Sequence, residues 1–203
     1  MDLSISMTES VLISTFYSVE PFMPAAHAFS PKKIILLVDS LDDKVKTNIE
    51  LIKKTFGNVA QIEVIKMERG NILSIAKKTV ELFEKESSKD KRIIINVSGG
   101  WKLLANAVLY GCYARQELID KIVCNNLDDN SLIELPKLSY GLTKAKRELL
   151  EEIATRNGKT ISKVSDKLGK SRGMIYQHLK ELKESGYVDE KFYITDAGRM
   201  ALL

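Results

Sequence analysis

Continuous apolar runs alternate with amphipathic segments along the first two thirds of the chain. Residues 34–38 are apolar at every position, which is typical of a strand buried on both faces of a parallel sheet. Between such runs, apolar residues recur every three or four positions and predict helices that cover the sheet. The predicted strands are 11–15, 33–39, 61–66, 93–97, 121–124 and 132–135, and the predicted helices are 42–56, 72–83 and 103–114.

This alternation predicts a doubly wound α/β domain over residues 1–138, with a Rossmann-like, mostly parallel sheet. The last two strands, joined by a turn at 125–130, are predicted to form a hairpin. In the common strand order 3-2-1-4 the first and fourth strands are neighbours, and ligands bind beyond the carboxyl ends of the strands where the order reverses. The loop after Thr15 is therefore expected beside Ser98-Gly99-Gly100.

The last third of the chain has a different pattern, in which three short helices precede two short strands and a final helix. A glycine separates the second and third helices, as in a helix-turn-helix. The pattern predicts a winged helix-turn-helix domain over residues 142–203, and this segment resembles winged-helix transcription regulators of bacteria and archaea. The predicted helix caps are Thr143, Thr160, Ser171 and Thr195, and the predicted strands are 187–188 and 192–194.

The net charge of +4 lies entirely in this last third. Residues 1–138 carry 18 Lys+Arg and 18 Asp+Glu, whereas residues 139–203 carry 13 and 9. A basic domain behind a neutral one predicts that the C-terminal part binds double-stranded DNA. The overall composition, 44% hydrophobic and 29% charged, is that of an ordinary globular protein.

Composition and motif spacing also exclude some classes of partner and site. The longest apolar runs are far shorter than the ~20 residues of a membrane span, so no membrane partner is expected. Cys112 and Cys124 lack metal-ligand spacing and predict buried, reduced thiols in an intracellular, cytoplasmic protein. The chain has two histidines, which predicts no histidine metal site.

The predicted third helix of the C-terminal domain presents a polar face suited to DNA. Arg172, near its start, matches a guanine edge and Gln177 matches adenine, whereas lysines more often contact phosphate. The same face is also compatible with a winged helix that binds protein. The predicted DNA-binding residues are Thr160, Lys170, Ser171, Arg172, Gly173, Tyr176, Gln177, His178, Lys180 and Lys191.

Residues 96–102, Asn-Val-Ser-Gly-Gly-Trp-Lys, join a predicted strand to a predicted helix. Backbone N–H groups at the start of a helix bind anions, phosphate above all, and Lys102 adds a charge. The P-loop spacing and the dinucleotide fingerprint are both absent. A nucleotide phosphate cradle and a tight turn that needs two glycines remain as alternatives. Asn96 either orients this turn or is a buried, hydrogen-bonded residue.

The doubly wound domain, the Ser-Gly-Gly-x-Lys turn and the winged helix together resemble CRISPR-associated CARF–winged helix transcription regulators over nearly the full chain. The resemblance implies a homodimer that binds a cyclic oligoadenylate, typically cyclic tetra-adenylate, across its two-fold axis. It implies phosphate or ribose contacts at Ser98, Gly99, Gly100 and Lys102. The full set of predicted ligand-binding residues is Thr15, Phe16, Tyr17, Ser18, Asn96, Ser98, Gly99, Gly100, Trp101 and Lys102.

The aromatic side chains near this site have more than one possible role. Trp101, where many relatives carry Thr or Arg, either stacks on an adenine or anchors the helix in the core. Phe16, Tyr17, Phe22 and Met23 line an adenine pocket, form a dimer interface or belong to the core.

Three hypotheses about function follow. The leading one is a homodimeric transcription regulator, without cofactor or enzymatic activity, that senses cyclic tetra-adenylate and binds a palindromic promoter. The second is a metal-independent ring nuclease in which Lys102 stabilises developing phosphate charge and Ser98 or Thr15 assists. The third is a ligand-free regulator whose α/β domain only dimerises.

Overall fold

The structure is a computed structural model that describes residues 9–88, 90–126, 128–138, 141–155 and 161–203 of the 203-residue chain. The chain divides into two compact units, Met1–Leu138 and Ser139–Leu203. Among the described residues, the first unit has two hydrophobic clusters and the second unit has one.

A six-stranded sheet in the order β3-β2-β1-β4-β5-β6 forms the centre of the first unit. Neighbouring strands are parallel except β5 and β6, which form the predicted antiparallel hairpin. The predicted 3-2-1-4 order and the doubly wound fold are confirmed. The strands are β1 (Glu9–Thr15), β2 (Lys33–Val38), β3 (Gln61–Lys66), β4 (Lys91–Asn96), β5 (Lys121–Asn125) and β6 (Leu132–Leu135).

Helices cover both faces of this sheet. Successive side chains of a strand point to opposite faces, so Leu36 packs with the helices of one face and Ile35 with those of the other. This arrangement explains the continuous apolar runs of the central strands, of which residues 34–38 of β2 are the longest. The first face is covered by α1 (Met23–Phe29) and α2 (Asp43–Phe56), and the second by α3 (Ile72–Glu86) and α4 (Lys102–Ala114).

Helix α1 is absent from the elements that the hydrophobic pattern predicts. It has only seven residues, begins with Met23-Pro24 and ends at Ser30, which has a positive φ of 42°. Its buried residues are the small Ala25 and Ala26, which give a weak periodic signal. Tertiary packing on the sheet stabilises a helix that is too short to be stable alone.

An ion pair that is largely shielded from water ties α3 to the start of β2. Lys33 Nζ lies 2.6 Å from a carboxylate oxygen of Glu86 and 3.3 Å from one of Glu63. Glu86 is only 3% exposed. Burial by itself raises the pKa of Glu86. The hydrogen bond and charge of Lys33, together with the charges of Lys91 and Lys85, outweigh that effect and hold the pKa below its ordinary value.

The second unit contains the predicted helices and their caps. The side chains of Thr143, Ser171 and Thr195 each accept a hydrogen bond from a backbone N–H in the first turn of the helix that follows. The predicted end of the first helix at 156 and the predicted cap at Thr160 lie outside the described residues. The helices are α5 (Lys144–Ala154), α6 (Ile161–Leu168), α7 (Arg172–Glu184) and α8 (Asp196–Ala201).

The two wing strands were predicted to be longer than they are. In the described part of the unit the wing is one isolated antiparallel bridge, between Val188 and Ile194. The tip is a tight turn in which the backbone N–H of Asp189 donates to Tyr193 O at 2.8 Å and Phe192 has a positive φ of 60°. A left-handed residue in the second arm prevents the regular strand that its aromatic and β-branched residues predict.

Candidate functional site

The end of β1 and the glycine loop after β4 lie in direct contact. Thr15 Oγ1 donates a hydrogen bond of 2.7 Å to the carbonyl oxygen of Gly99. A Cβ atom on Gly99 would lie 2.6 Å from Thr15 O, closer than real contacts allow. Gly100 has a φ of +76°, a conformation that L side chains rarely adopt. Both glycines are therefore required by the turn itself.

Asn96 orients this loop through side-chain hydrogen bonds, which was one of its two predicted roles. Its Oδ1 accepts hydrogen bonds from the backbone N–H of Ser98, at 3.1 Å, and from the Ser98 hydroxyl. Its Nδ2 donates to Ser14 Oγ at 3.1 Å and to Pro21 O at 3.2 Å. Because the side chain is fully buried and bonded at both ends, Asn96 positions the loop and does not face a ligand.

A cleft of about 350 Å³ opens above this loop. It lies at the carboxyl ends of four adjacent strands, β3, β2, β1 and β4, where doubly wound sheets bind their ligands. Two aromatic side chains border it, Trp101 at 48% exposure and Tyr17 at 37%. The lining residues are Tyr17, Asp39, Arg69, Gly100 and Trp101.

Three of the predicted ligand residues, Tyr17, Gly100 and Trp101, line this cleft. Trp101 does not anchor the helix in the core, because nearly half of its side chain is exposed. Lys102 is the exposed first residue of α4, next to the cleft wall. Ser18 is half-buried, and its hydroxyl hydrogen-bonds to the carboxylate of Glu20. The backbone N–H of Glu20 and this hydroxyl together lower the pKa of Glu20.

The side chains of four other predicted ligand residues are instead buried or hydrogen-bonded within the protein. Phe16 is fully buried, with its ring in edge-to-face contact with Phe22, so its side chain cannot line an adenine pocket. Thr15 and Asn96 are also buried. The Ser98 hydroxyl donates to Asn96 and accepts a 2.7 Å hydrogen bond from the Asn125 N–H. Thr15, Asn96 and Ser98 shape the loop through their side-chain hydrogen bonds.

Sequence reasoning missed two cleft residues, Asp39 and Arg69. Asp39 directly follows the buried strand β2. An acidic residue at the end of a buried strand was the feature of the sequence that could have identified it. Arg69 follows β3 and reaches back to Asp39, with Nη2 at 2.9 Å and Nε at 3.0 Å from Oδ2. A further basic group lies nearby, since Lys44 Nζ is 5.0 Å from the centre of the Tyr17 ring, within the range of a cation–π contact.

Within the described part of the chain, no group of three or more His, Cys, Asp or Glu side chains is placed to hold a metal ion. In the same part, no helix has the length and apolar character needed to cross a membrane. Cys112 and Cys124 are free thiols, and burial raises the pKa of Cys112 well above its ordinary value.

Helix α7 of the second unit has the predicted division into two faces. Ile175, Leu179 and Leu182 are buried in the core of the unit. Gly173 has open space where a Cβ would be, and Met174 is an exposed apolar residue that sequence reasoning did not single out. The exposed residues predicted to bind DNA are Ser171, Arg172, Gly173, Tyr176, Gln177 and Lys180 on this face and Lys191 in the wing.

Two predicted DNA contacts are instead engaged inside the unit. Lys170 Nζ lies 2.9 Å from a carboxylate oxygen of Glu148, and its side chain is mostly buried. His178 Nδ1 lies 3.3 Å from Glu181, which also pairs with Lys146 of α5 at 3.1 Å. Lys170 thus joins the turn before α7 to Glu148 of α5, and Glu181 joins His178 of α7 to Lys146 of α5. Thr160 lies outside the described residues.

Comparison with known proteins agrees with both units. Residues 143–190 match the family model of the bacterial regulatory protein, arsR family, which is a helix-turn-helix. None of the curated sequences compared with the chain matches it.

Solved structures match over most of the chain at low identity. Csm6 of Enterococcus italicus, bound to cyclic hexa-2′-fluoro-hexa-dAMP, has a TM-score of 0.54 and 10% identity, over 91% of this chain and 57% of that one. Protein VC1899 of Vibrio cholerae has a TM-score of 0.51 and 12% identity, over 95% of this chain and 64% of that one. The chain thus corresponds to less than two thirds of either protein.

The chain has a doubly wound α/β domain, similar in fold to these structures, followed by a helix-turn-helix domain. The match to these structures at 10–12% identity concerns the fold. In the α/β domain, the cleft lies at the strand ends where the sequence predicts the ligand site. In the helix-turn-helix domain, the exposed face of α7 is the second candidate site.

Proposed function

We propose that the protein is a homodimeric transcription regulator of CRISPR-associated type that binds promoter DNA with α7 and senses a cyclic oligoadenylate in the cleft. The observation that carries the proposal is the cleft itself. It combines backbone at a helix start, exposed aromatic rings and a guanidinium group at the carboxyl ends of β1–β4, in a chain that also carries a helix-turn-helix.

The chemistry of the cleft fits an adenine nucleotide. Gly100 and the start of α4 offer backbone N–H groups to phosphate, because a helix N-terminus attracts anions. Trp101 and Tyr17 are rings on which an unpaired base stacks. Arg69 and Lys44 supply positive charge beside them, which suits a ligand with several phosphates.

The size of the cleft supports a dimer. Ligand pockets commonly measure about 300–1,000 Å³, and 350 Å³ is near the lower end of that range. A ring of four nucleotides is larger than this single cleft. Two copies related by a two-fold axis would double the binding surface, and each would contact half of a symmetric ring.

Binding could change DNA affinity only through a difference in ligand affinity between two arrangements of the dimer. A two-fold dimer presents two copies of α7, which suits palindromic half-sites about one helical turn apart. The ligand would favour either the arrangement in which the separation of the two α7 helices matches the half-sites or the one in which it does not.

We also propose that the cleft binds its ligand without cleaving it. The hydroxyl groups assigned to a ring nuclease are those of Thr15 and Ser98, and both donate to protein acceptors, Gly99 O and Asn96 Oδ1. Incubation with labelled cyclic tetra-adenylate for several hours should return intact ligand. Linear products formed at a rate that depends on Lys102 would identify a nuclease instead.

The sensing function is tested by calorimetric titration with cyclic tetra-adenylate. Trp101→Ala should weaken binding by about 1–3 kcal/mol, roughly tenfold to a hundredfold in Kd, because it removes a stacking surface. The matched control is Tyr110→Ala, which removes another exposed aromatic side chain from α4 that does not line the cleft. Equal affinity of both variants and the wild type would contradict the assigned cleft, and no heat of binding to the wild type would contradict the sensing function.

A further inference from the structure

Asp39 is a buried carboxylate on the wall of a cleft that we assign to an anionic ligand. Its side chain is only 8% exposed. Both contacts from Arg69 fall on the same oxygen, Oδ2, at 2.9 and 3.0 Å. Among the described residues, none is within hydrogen-bonding distance of Oδ1. One acceptor oxygen of Asp39 is thus available at the cleft.

The position of Asp39 in the fold is informative. It is the first residue after β2, and β2 is paired with β1, whose end contacts the glycine loop. In doubly wound domains that bind dinucleotides, an acid near the end of the second strand accepts a hydrogen bond from a ribose hydroxyl. The glycine fingerprint of those domains is absent here, but the sheet places an acid at the corresponding strand end.

A negative charge in a phosphate site is unfavourable unless it has a separate partner. Arg69 offsets the charge of Asp39 and is itself 62% exposed, so its outer nitrogen atoms remain accessible to a phosphate. The open Oδ1 is an acceptor and needs a donor on the ligand. On a nucleotide the donors are the ribose hydroxyl and the adenine amino group, and the strand-end position favours the ribose.

We propose that Asp39 accepts a hydrogen bond from a ribose 2′-hydroxyl and makes the cleft selective for ribonucleotides over deoxyribonucleotides. Arg69 holds the carboxylate in place through Oδ2 and faces a phosphate with its remaining donors. The inference rests on the proposed sensing of a cyclic oligoadenylate, and it adds the determinant of sugar specificity at that site.

The experiment compares cyclic tetra-adenylate with cyclic tetra-deoxyadenylate, which lacks the 2′-hydroxyls, by calorimetry on the full chain. The wild type should bind the ribose form at least about tenfold more tightly, because a site built for a hydroxyl rejects the analogue without it. Asp39→Ala should bind both rings with similar affinity. Asp39→Asn keeps the side-chain volume and serves if the alanine variant unfolds. It should also lose most of the preference, because its amide oxygen pairs with Arg69 and its NH2 group, which only donates, faces the ligand in place of Oδ1.

Two further variants separate specificity from charge. Arg69→Gln should weaken both rings by a similar factor and retain part of the preference, because phosphate contact does not depend on the 2′-hydroxyl. Asp43→Ala removes the same negative charge at a fully exposed position outside the cleft. It should leave both affinities and the preference unchanged.

The outcomes distinguish the two proposals. Measurable and equal binding of both rings to the wild type overturns the role of Asp39 and leaves the sensing function intact. A preference that survives in both Asp39 variants overturns it as well. Absence of binding to either ring contradicts the sensing function, and the sugar specificity then fails together with it.

Discussion

Two adjacent glycines in the loop after β4 are required for different physical reasons. Gly99 has no space for a side chain because the carbonyl oxygen of Thr15 lies where its Cβ would be. Gly100 has some space, with Leu104 Cδ2 at 3.4 Å, but its φ of +76° disfavours any L side chain. The same pair that suggested a phosphate cradle is thus also required by the packing of β1 against the loop.

We expect Gly99→Ala to destabilise the α/β domain by about 2 kcal/mol or more, because backbone atoms must move to accept the new methyl group. Gly100→Ala should cost about 1–2 kcal/mol, through left-handed backbone strain. Urea denaturation followed by circular dichroism measures both. In Gly173→Ala, the control, the methyl group enters open space on α7, and stability should stay equal or rise. A Gly99→Ala variant as stable as the wild type would contradict the close contact.

Much of this site could be predicted from the sequence, whereas the rest depends on contacts between residues that are far apart in the chain. The glycine loop, Trp101 and Tyr17 are marked by local sequence at the end of apolar strands. The pair of Asp39 and Arg69 is separated by 30 residues, and it forms because Val38 and Lys66 are partners at the ends of β2 and β3. The burial of Phe16 follows from α1, which the hydrophobic pattern did not predict.

At the level of elements, strands with continuous apolar runs were predicted well because burial on both faces leaves an unmistakable pattern. Short elements were predicted poorly, since their few apolar residues fix no period. Helix α1 was missed and the wing was overextended for this reason. In the longer α7 the buried and polar faces were predicted as wholes, but the pattern did not reveal that Lys170 and His178 pair with acidic residues of the same unit.

The exposed face of α7 leads to a prediction about salt dependence. Lys180 is exposed and lies 3.9 Å from Glu184, a weak surface pair. If it contacts a DNA phosphate, Lys180→Ala should weaken binding to all sequences alike and reduce the slope of log K against log salt by about one. Fluorescence anisotropy with promoter DNA of the adjacent genes, at several salt concentrations, measures the slope. Lys46→Ala, on α2 of the other unit, is the control and should change neither quantity.

At the level of the whole molecule, the pairing of Lys33 with Glu86 makes stability depend on pH. The pKa of Glu86 is lower in the folded protein than its ordinary value of 4.5. Its ionised form therefore stabilises the fold above that value, and the stabilisation is lost as the pH falls through the lower, folded-state pKa. The pair connects α3 to β2, so this loss affects the sheet and the helix layer together.

Glu86→Gln should lower the free energy of unfolding by about 1–3 kcal/mol at pH 7, because Lys33 loses its nearest charged partner in a mostly buried place. The difference from the wild type should shrink as the pH falls below the ordinary pKa of Glu86 and should be lost once the pH is below its lowered, folded-state pKa. Thermal unfolding across this range tests the sign. Glu50→Gln, which removes an exposed helix pair with Lys53, should have little effect at any pH; a constant difference for Glu86→Gln would rule out the titration.

The hydrogen bond from Thr15 to Gly99 joins residues 84 positions apart in sequence. Bringing them together requires the parallel pairing of β1 with β4, a contact of high sequence separation that forms slowly compared with local helices. During synthesis, the cleft therefore cannot exist until the chain has emerged beyond Trp101, and an N-terminal fragment that stops before β4 carries no part of it in working form. A ligand held there would bind only the completed sheet, so it would stabilise the folded state and raise the melting temperature with the logarithm of its concentration once that exceeds the Kd.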